Sequence, residues 1–101
     1  MVAGPNGEAF INTTGNEGLA TAGSGDVLTG IIAGLMAQGS PALQAAYCGA
    51  YIHGLCGDEL RDAMGRGFVA GEIAFEIPRA IRIVNEGSAP CRIFRQGPIE
   101  F

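Results

Sequence analysis

Lysine does not occur in this 101-residue chain, and the omission removes a whole mode of phosphate binding. A P-loop needs a Lys after its glycines to reach the phosphates, so no Walker-type site can be built here. Charge of either sign is thin: charged residues make up 16% of the chain and leave a formal net charge of −4. The six cations are all arginines, scattered from Arg61 to Arg95. They form no basic stripe to track a phosphate backbone, so nucleic acid is not expected as a partner. Cys48, Cys56 and Cys91 are the three cysteines; they cannot all pair and are too few for a disulfide scaffold, so reduced thiols are expected. Long apolar runs are missing as well. The best, Val27 to Ala37, is broken by Thr29, Gly30 and Gly34 and falls short of the roughly 20 residues a membrane-spanning helix needs. It reads as a core helix, and no membrane partner is expected. No basic leader followed by an apolar run opens the sequence, so a cytoplasmic protein is expected.

What is present suffices for one core. Apolar residues reach 48%, too many for a disordered chain, and the length is that of a single small domain. Asn6-Gly7 between short β-prone runs marks a hairpin of two short strands. Thr13 to Gly25, crowded with Thr, Asn and Gly, reads as a loop. A helix is expected from about Ser24 to Asp26 as far as Gly39, because Val27, Ile31, Gly34, Leu35 and Gln38 recur at helical spacing and Gly39 sits where a C′ glycine belongs. Ser40 then fits an N-cap and Pro41 a first helical position, with the second helix running to about His53. Glycines between Gly54 and Gly67 interrupt the pattern and leave room for one short polar helix, Asp58 to Met64. Val69 to Asn85 is helical again, with Pro78 either kinking it or starting a new helix. The tail from Gly87 has no period. There is no internal repeat, and the strands are too few for a sheet of their own. The helices are more apolar than a small bundle needs, and Gly30-xxx-Gly34 lets another backbone approach. Together these features suggest a fragment of a larger α/β layer fold or an obligate partner in an assembly.

Ala22-Gly23-Ser24-Gly25-Asp26 lies where the loop enters a helix, a place rich in backbone N–H groups and at the positive end of the helix dipole. Anions bind readily at such a place. The glycines remove Cβ atoms that would hold a phosphate off, and Asp26 puts one carboxylate beside it. Transfer of a phosphoryl group to a hydroxyl needs donors on the developing negative charge and an acceptor for the O–H proton, and this segment supplies both types. The bland alternative is a helix whose cap is Ser24 and whose dipole is met by Asp26. The dinucleotide fingerprint fails, because its third glycine would fall at Leu28.

Asn12-Thr13-Thr14-Gly15-Asn16-Glu17-Gly18-Leu19-Ala20-Thr21-Ala22-Gly23-Ser24-Gly25-Asp26-Val27-Leu28-Thr29-Gly30-Ile31-Ile32-Ala33 resembles the signature of the ADP/ATP-dependent NAD(P)H-hydrate dehydratases. His53-Gly54-Leu55-Cys56-Gly57-Asp58, then Val69-Ala70-Gly71-Glu72-Ile73 and Ile77-Pro78, are similar to the same family in the same order. The resemblance covers roughly residues 2 to 85. It implies an α/β fold, the C-terminal portion of a ribokinase-like domain (1–86), mostly helical with a short N-terminal β-hairpin and followed by an irregular tail (87–101). It implies repair of hydrated NADH or NADPH by phosphorylation of the hydroxyl and elimination of the phosphate. Asp26 would then be the catalytic proton acceptor and contact the hydrated nicotinamide nucleotide, with Gly23, Ser24 and Gly25 on the adenine nucleotide. ATP or ADP would be co-substrate, and Mg²⁺ would be held mostly through phosphates and water. Glu17 stands where the family commonly has proline, and Ser24 where it often has threonine. The family domain is more than twice this length, which implies a homo-oligomer or pairing with a missing N-terminal part.

Other features read as structural. His53, five and three residues from Cys48 and Cys56, has no fourth ligand at helical reach and reads as a packed histidine near a helix end without a Ser or Cys partner. Asp58 reads as a cap for the following short helix. Glu72 and Glu76 fit a solvated face, and Tyr47 and Tyr51 a core or interface. Two other functions stay open: a truncated, inactive module that self-associates, and a ribokinase-like small-molecule kinase.

Overall fold

Asn6 and Gly7 reverse the chain as their sequence demands. In the computed structural model, which describes residues 2–65 and 67–86, strands β1 (Val2–Ala3) and β2 (Ala9–Phe10) pair antiparallel, Val2 opposite Phe10 and Ala3 opposite Ala9. Gly7 takes the left-handed turn conformation at φ 87°, where glycine meets no Cβ penalty. Phe10 stacks on Tyr47 at a ring-centroid distance of 4.3 Å, a contact of about 1 kcal/mol that fixes the hairpin to the helices. The following loop contains one 3-10 turn, Glu17–Leu19, started by Asn16, whose side chain accepts from the Gly18 N–H.

Three helices complete the described residues: α1 (Ser24–Ala37), α2 (Ala42–Met64) and α3 (Ala70–Glu86). The first ends as its sequence indicates. Gly39, at φ 98°, donates to the Met36 carbonyl while Ser40 N–H reaches Leu35 O, the paired bonds of a Schellman stop. At the starts, the caps fall one residue from expectation. Gly23 precedes α1, and Pro41 (φ −58°, ψ 149°) is itself the residue before α2.

One expected break does not occur. The second helix does not stop near His53 but continues to Met64, absorbing the segment expected to be a separate helix. Gly54 and Gly57 are buried within it. A Cβ at 54 would lie 2.8 Å from the Thr14 carbonyl carbon, and one at 57 would lie 2.8 Å from Leu19 side-chain atoms. These glycines make room for the preceding loop and do not end the helix, so tertiary packing overrides their low propensity. Of the two readings at Pro78, no new helix starts there: it lies inside α3. Pro78 is exposed, while Ile73 before it and Ala80 and Val84 after it are buried; their packing carries the helix past one missing amide donor.

α2 is central, its apolar face meeting α1 and α3, and α1 and α3 meet each other much less. Ile52, Ile73, Cys48 and Cys56 are the largest fully buried side chains, and each isoleucine contributes roughly 1.5–3 kcal/mol by leaving water. Cys48 and Cys56 are buried and take part in no disulfide among the described residues. Burial, with the charge of Glu76 adding, pushes the Cys56 thiol up to about 12. Tyr51 packs half-buried against the core. Between α1 and α3 an apolar groove of about 350 Å³ stays open, floored by Ile52 and walled by Val27, Gly30, Gly34, Ile77 and Ile81. Among the described residues no helix is long and apolar enough to cross a membrane. The expected irregular tail and Cys91 lie outside the described residues.

Glu72 and Glu76 do not form a solvated pair. Glu72 Oε1 accepts from the Val69 N–H, the side-chain half of a capping box at the start of α3, while its own N–H meets the Val69 backbone carbonyl. Glu76 Oε2 is buried without a hydrogen-bond partner among the described residues.

Candidate functional site

The four sequence-derived candidates, Gly23, Ser24, Gly25 and Asp26, come together as one turn at the start of α1. Gly23 adopts φ 87°, a conformation that favours glycine, and its position is tight: a Cβ would lie 3.1 Å from Ala70 Cβ at the start of α3. From that turn the Ser24 N–H donates back to Thr21 O and the Asp26 N–H to Gly23 O. Of the amides of Ser24, Gly25 and Asp26, only that of Gly25 meets no backbone acceptor among the described residues. Space is open there, since a Cβ at Gly25 would meet no described atom within 4 Å beyond its chain neighbours and its own helix backbone. Asp26 is exposed in the first turn. The turn therefore presents one amide donor, one dipole end and one carboxylate to the same open region. An anion would be received there.

The loop is held by α2 along a seam of about 12 Å, from Ala50 to Asp58 at 1.5 Å per residue. Asn12 Nδ2 donates to Ala50 O at 3.1 Å, and Thr14 Oγ1 to Tyr51 O at 3.1 Å. The Asp58 carboxylate accepts from the Gly15 N–H at 3.1 Å and from Asn16 Nδ2 at 3.0 Å. Asp58 is thus not the cap of a short helix, because no helix begins there; it stands within α2 and holds the loop. His53 is also corrected. It lies mid-helix, and its Nε2 is 2.9 Å from Ser24 Oγ and 3.1 Å from Ser24 O. A serine partner exists, although it sits 29 positions away in sequence. Burial pushes the imidazole below its usual range, and the bond to the Ser24 backbone opposes this. The sequence does contain a signal for both residues. Ala50, His53, Gly54, Gly57 and Asp58 recur at three- and four-residue spacing, hence on one helix face, but this is visible only if the glycines are allowed inside the helix.

A family profile described as NAD(P)H-hydrate dehydratase matches residues 1–79. The chain belongs to that family. Among curated members, it is 51% identical over 87 residues to the bifunctional NAD(P)H-hydrate repair enzyme Nnr of Moorella thermoacetica, a match covering 85% of this chain and 16% of that protein. It is 53% identical over 76 residues to the ADP-dependent (S)-NAD(P)H-hydrate dehydratase of Neisseria meningitidis serogroup B, covering 73% of this chain and 26% of that protein. The enzyme of the same name from Xanthomonas campestris is 46% identical over 79 residues, covering 77% and 27%. The chain thus spans about a quarter or less of these family members' length. No solved structure matches at the same stringency. The mostly helical architecture with its small antiparallel sheet is consistent with a fragment of the family's carbohydrate-kinase fold.

Proposed function

We propose that this chain carries the anion loop and the proton acceptor of an ADP- or ATP-dependent NAD(P)H-hydrate dehydratase, within a ribokinase-like domain. The observation that carries the reading is the Gly25 position: an amide without an acceptor among the described residues, room where a side chain would stand, and the Asp26 carboxylate one residue on. In this reading Gly23 and Gly25 lie against the adenine nucleotide's phosphates. Ser24 contributes through its hydroxyl, because its amide is engaged by Thr21. Asp26 accepts the proton of the hydrate's hydroxyl as that oxygen attacks the terminal phosphorus. The new O–P bond forms as the bond to the departing nucleotide breaks. Phosphate then leaves by C–O cleavage with loss of a proton from the neighbouring ring carbon, which restores the dihydronicotinamide. Among the described residues no three His, Cys, Asp or Glu side chains converge. Mg²⁺ would come in on the nucleotide, its coordination largely phosphate and water. The remaining walls of the site would come from the rest of the family domain, in cis or in trans, or from a second copy of the chain.

The test is a calorimetric titration with ADP and Mg²⁺ of the unaltered chain, Gly25→Ala and Asp26→Asn. Gly25→Ala meets no protein atom and replaces a poor helix former with a good one, so the fold should persist while nucleotide affinity drops at least tenfold. Asp26→Asn should still bind ADP, and once the rest of the domain is supplied should lose about 10²- to 10⁴-fold in hydrate turnover. Equal ADP affinity in the unaltered chain and Gly25→Ala would remove the nucleotide from this loop.

A further inference from the structure

The proposed nucleotide loop has a second-layer support that its own sequence does not reveal. His53 Nε2 lies within hydrogen-bond distance of two Ser24 oxygens, the hydroxyl and the backbone carbonyl. The carbonyl decides the tautomer. A carbonyl oxygen only accepts, so an unprotonated Nε2 at 3.1 Å would set lone pair against lone pair; the hydrogen therefore belongs on Nε2. Ser24 Oγ, at 2.9 Å, then shares that N–H as a second acceptor, and its own hydrogen is not directed at the imidazole. Ser24 is only 5% exposed, and among the described residues His53 is the hydrogen-bond partner of its hydroxyl. A buried hydroxyl hydrogen without an acceptor is costly, and Ser24 immediately precedes Gly25 in the turn.

We infer that His53 is a positioning residue for the nucleotide loop: by donating from Nε2 to both Ser24 oxygens it turns the Ser24 hydroxyl into a donor for a phosphoryl oxygen. The inference rests on the reading of Gly23 to Asp26 as the nucleotide site. It accounts for a division of labour in the turn, in which the Gly25 amide and the Ser24 hydroxyl face the ligand while the Ser24 amide, bonded to Thr21 O, closes the turn. The lowered proton affinity of His53 through burial agrees with a neutral imidazole in this role. His53 itself touches no ligand.

The test compares ADP–Mg²⁺ affinity across the unaltered full chain, Gly25→Ala, Ser24→Ala, Ser24→Thr, His53→Leu and His53→Gln, with folding monitored by circular dichroism. Loss of one hydrogen bond to a charged phosphate corresponds to roughly a ten- to hundredfold weakening. That loss is expected for Ser24→Ala and for His53→Leu, whereas Ser24→Thr keeps the hydroxyl and His53→Gln, which still presents an N–H, should stay within about threefold. Nitrogen-15 shifts of the His53 ring should show the neutral Nε2–H form. If Gly25→Ala blocks ADP while folded His53→Leu binds it normally, the loop reading stands and this inference falls. The neutral Nδ1–H tautomer would overturn it too, and that measurement decides even if His53→Leu does not fold. No ADP binding by the unaltered chain would sink the loop reading and the inference together.

Discussion

α2 has two neighbours of opposite character, and the contrast separates what this chain finishes by itself from what it leaves unfilled. Along one face, Ala50, Tyr51, His53, Gly54, Gly57 and Asp58 grip the loop from Asn12 to Asp26 so closely that no Cβ fits at 54 or 57. The other side is the groove between α1 and α3, where a Cβ at Gly30 or Gly34 would meet no described atom within 4 Å beyond its chain neighbours and its own helix backbone. Both regions use glycine on a helix, for different physical ends. In the seam glycine admits a backbone already present. In the groove it leaves apolar surface bare, of the kind that marks an interaction site when patches are large.

The strongest way to break the comparison is one substitution made in both places. Gly54→Ala forces a methyl group against Thr14, whose carbonyl carbon is only 2.8 Å from the built position. Overpacking of that kind costs about 1–3 kcal/mol, offset in part by alanine's better helix propensity, so the urea midpoint should fall clearly. Gly34→Ala should instead raise the midpoint by up to about 1 kcal/mol of stability, the propensity gain alone. A fall at Gly34 comparable to that at Gly54 would mean that the groove is filled in solution.

Asp58→Asn probes the seam more gently. The amide has one acceptor oxygen where the carboxylate has two, so one of the two donors, the Gly15 N–H or Asn16 Nδ2, loses its acceptor at a cost of about 1–2 kcal/mol. The loss is local, so hydrogen exchange at the Gly15 amide should quicken before the α2 core amides do. Unchanged exchange at Gly15 would show that Asp58 does not hold the loop.

The same contrast explains what was legible in the sequence. The hairpin at Asn6-Gly7, the loop, α1 and its stop at Gly39 are set by neighbours in sequence, and each was readable there. So was the Gly23 to Asp26 turn, and the apolar excess of α1 surfaces as the open groove. The continuity of α2 was not readable from local rules, because Gly54 and Gly57 look like breaks until Thr14 and Leu19 are seen to occupy the vacant Cβ positions. Pro78 left two readings open for a related reason, and buried residues on both sides keep α3 one helix across it. Asp58 and His53 were misread because their partners, Gly15, Asn16 and Ser24, are 29 to 43 positions away, beyond any helical period.

The smallest expected effect is a pH dependence at the seam's upper end. Burial lowers the proton affinity of His53 from the ordinary 6.5, so on acidification the unfolded chain takes up its proton first. Between 6.5 and the lower folded value the unfolded state therefore binds more protons, and stability rises with pH across that window. The contribution is complete above about pH 6.5, declines as pH falls through the window, and levels off beneath it. Its size is modest because His53 is only half-buried and solvent screens the change. Urea midpoints measured at pH 7.5 and pH 5.5 should therefore fall further for the unaltered chain than for His53→Gln, which cannot titrate. The carboxylates contribute equally to both proteins and cancel in the comparison. Identical shifts in the two proteins would show that the imidazole is no more desolvated in the fold than in the unfolded chain, and would make the hold of α2 on Ser24 looser than its hold on Gly15 and Asn16.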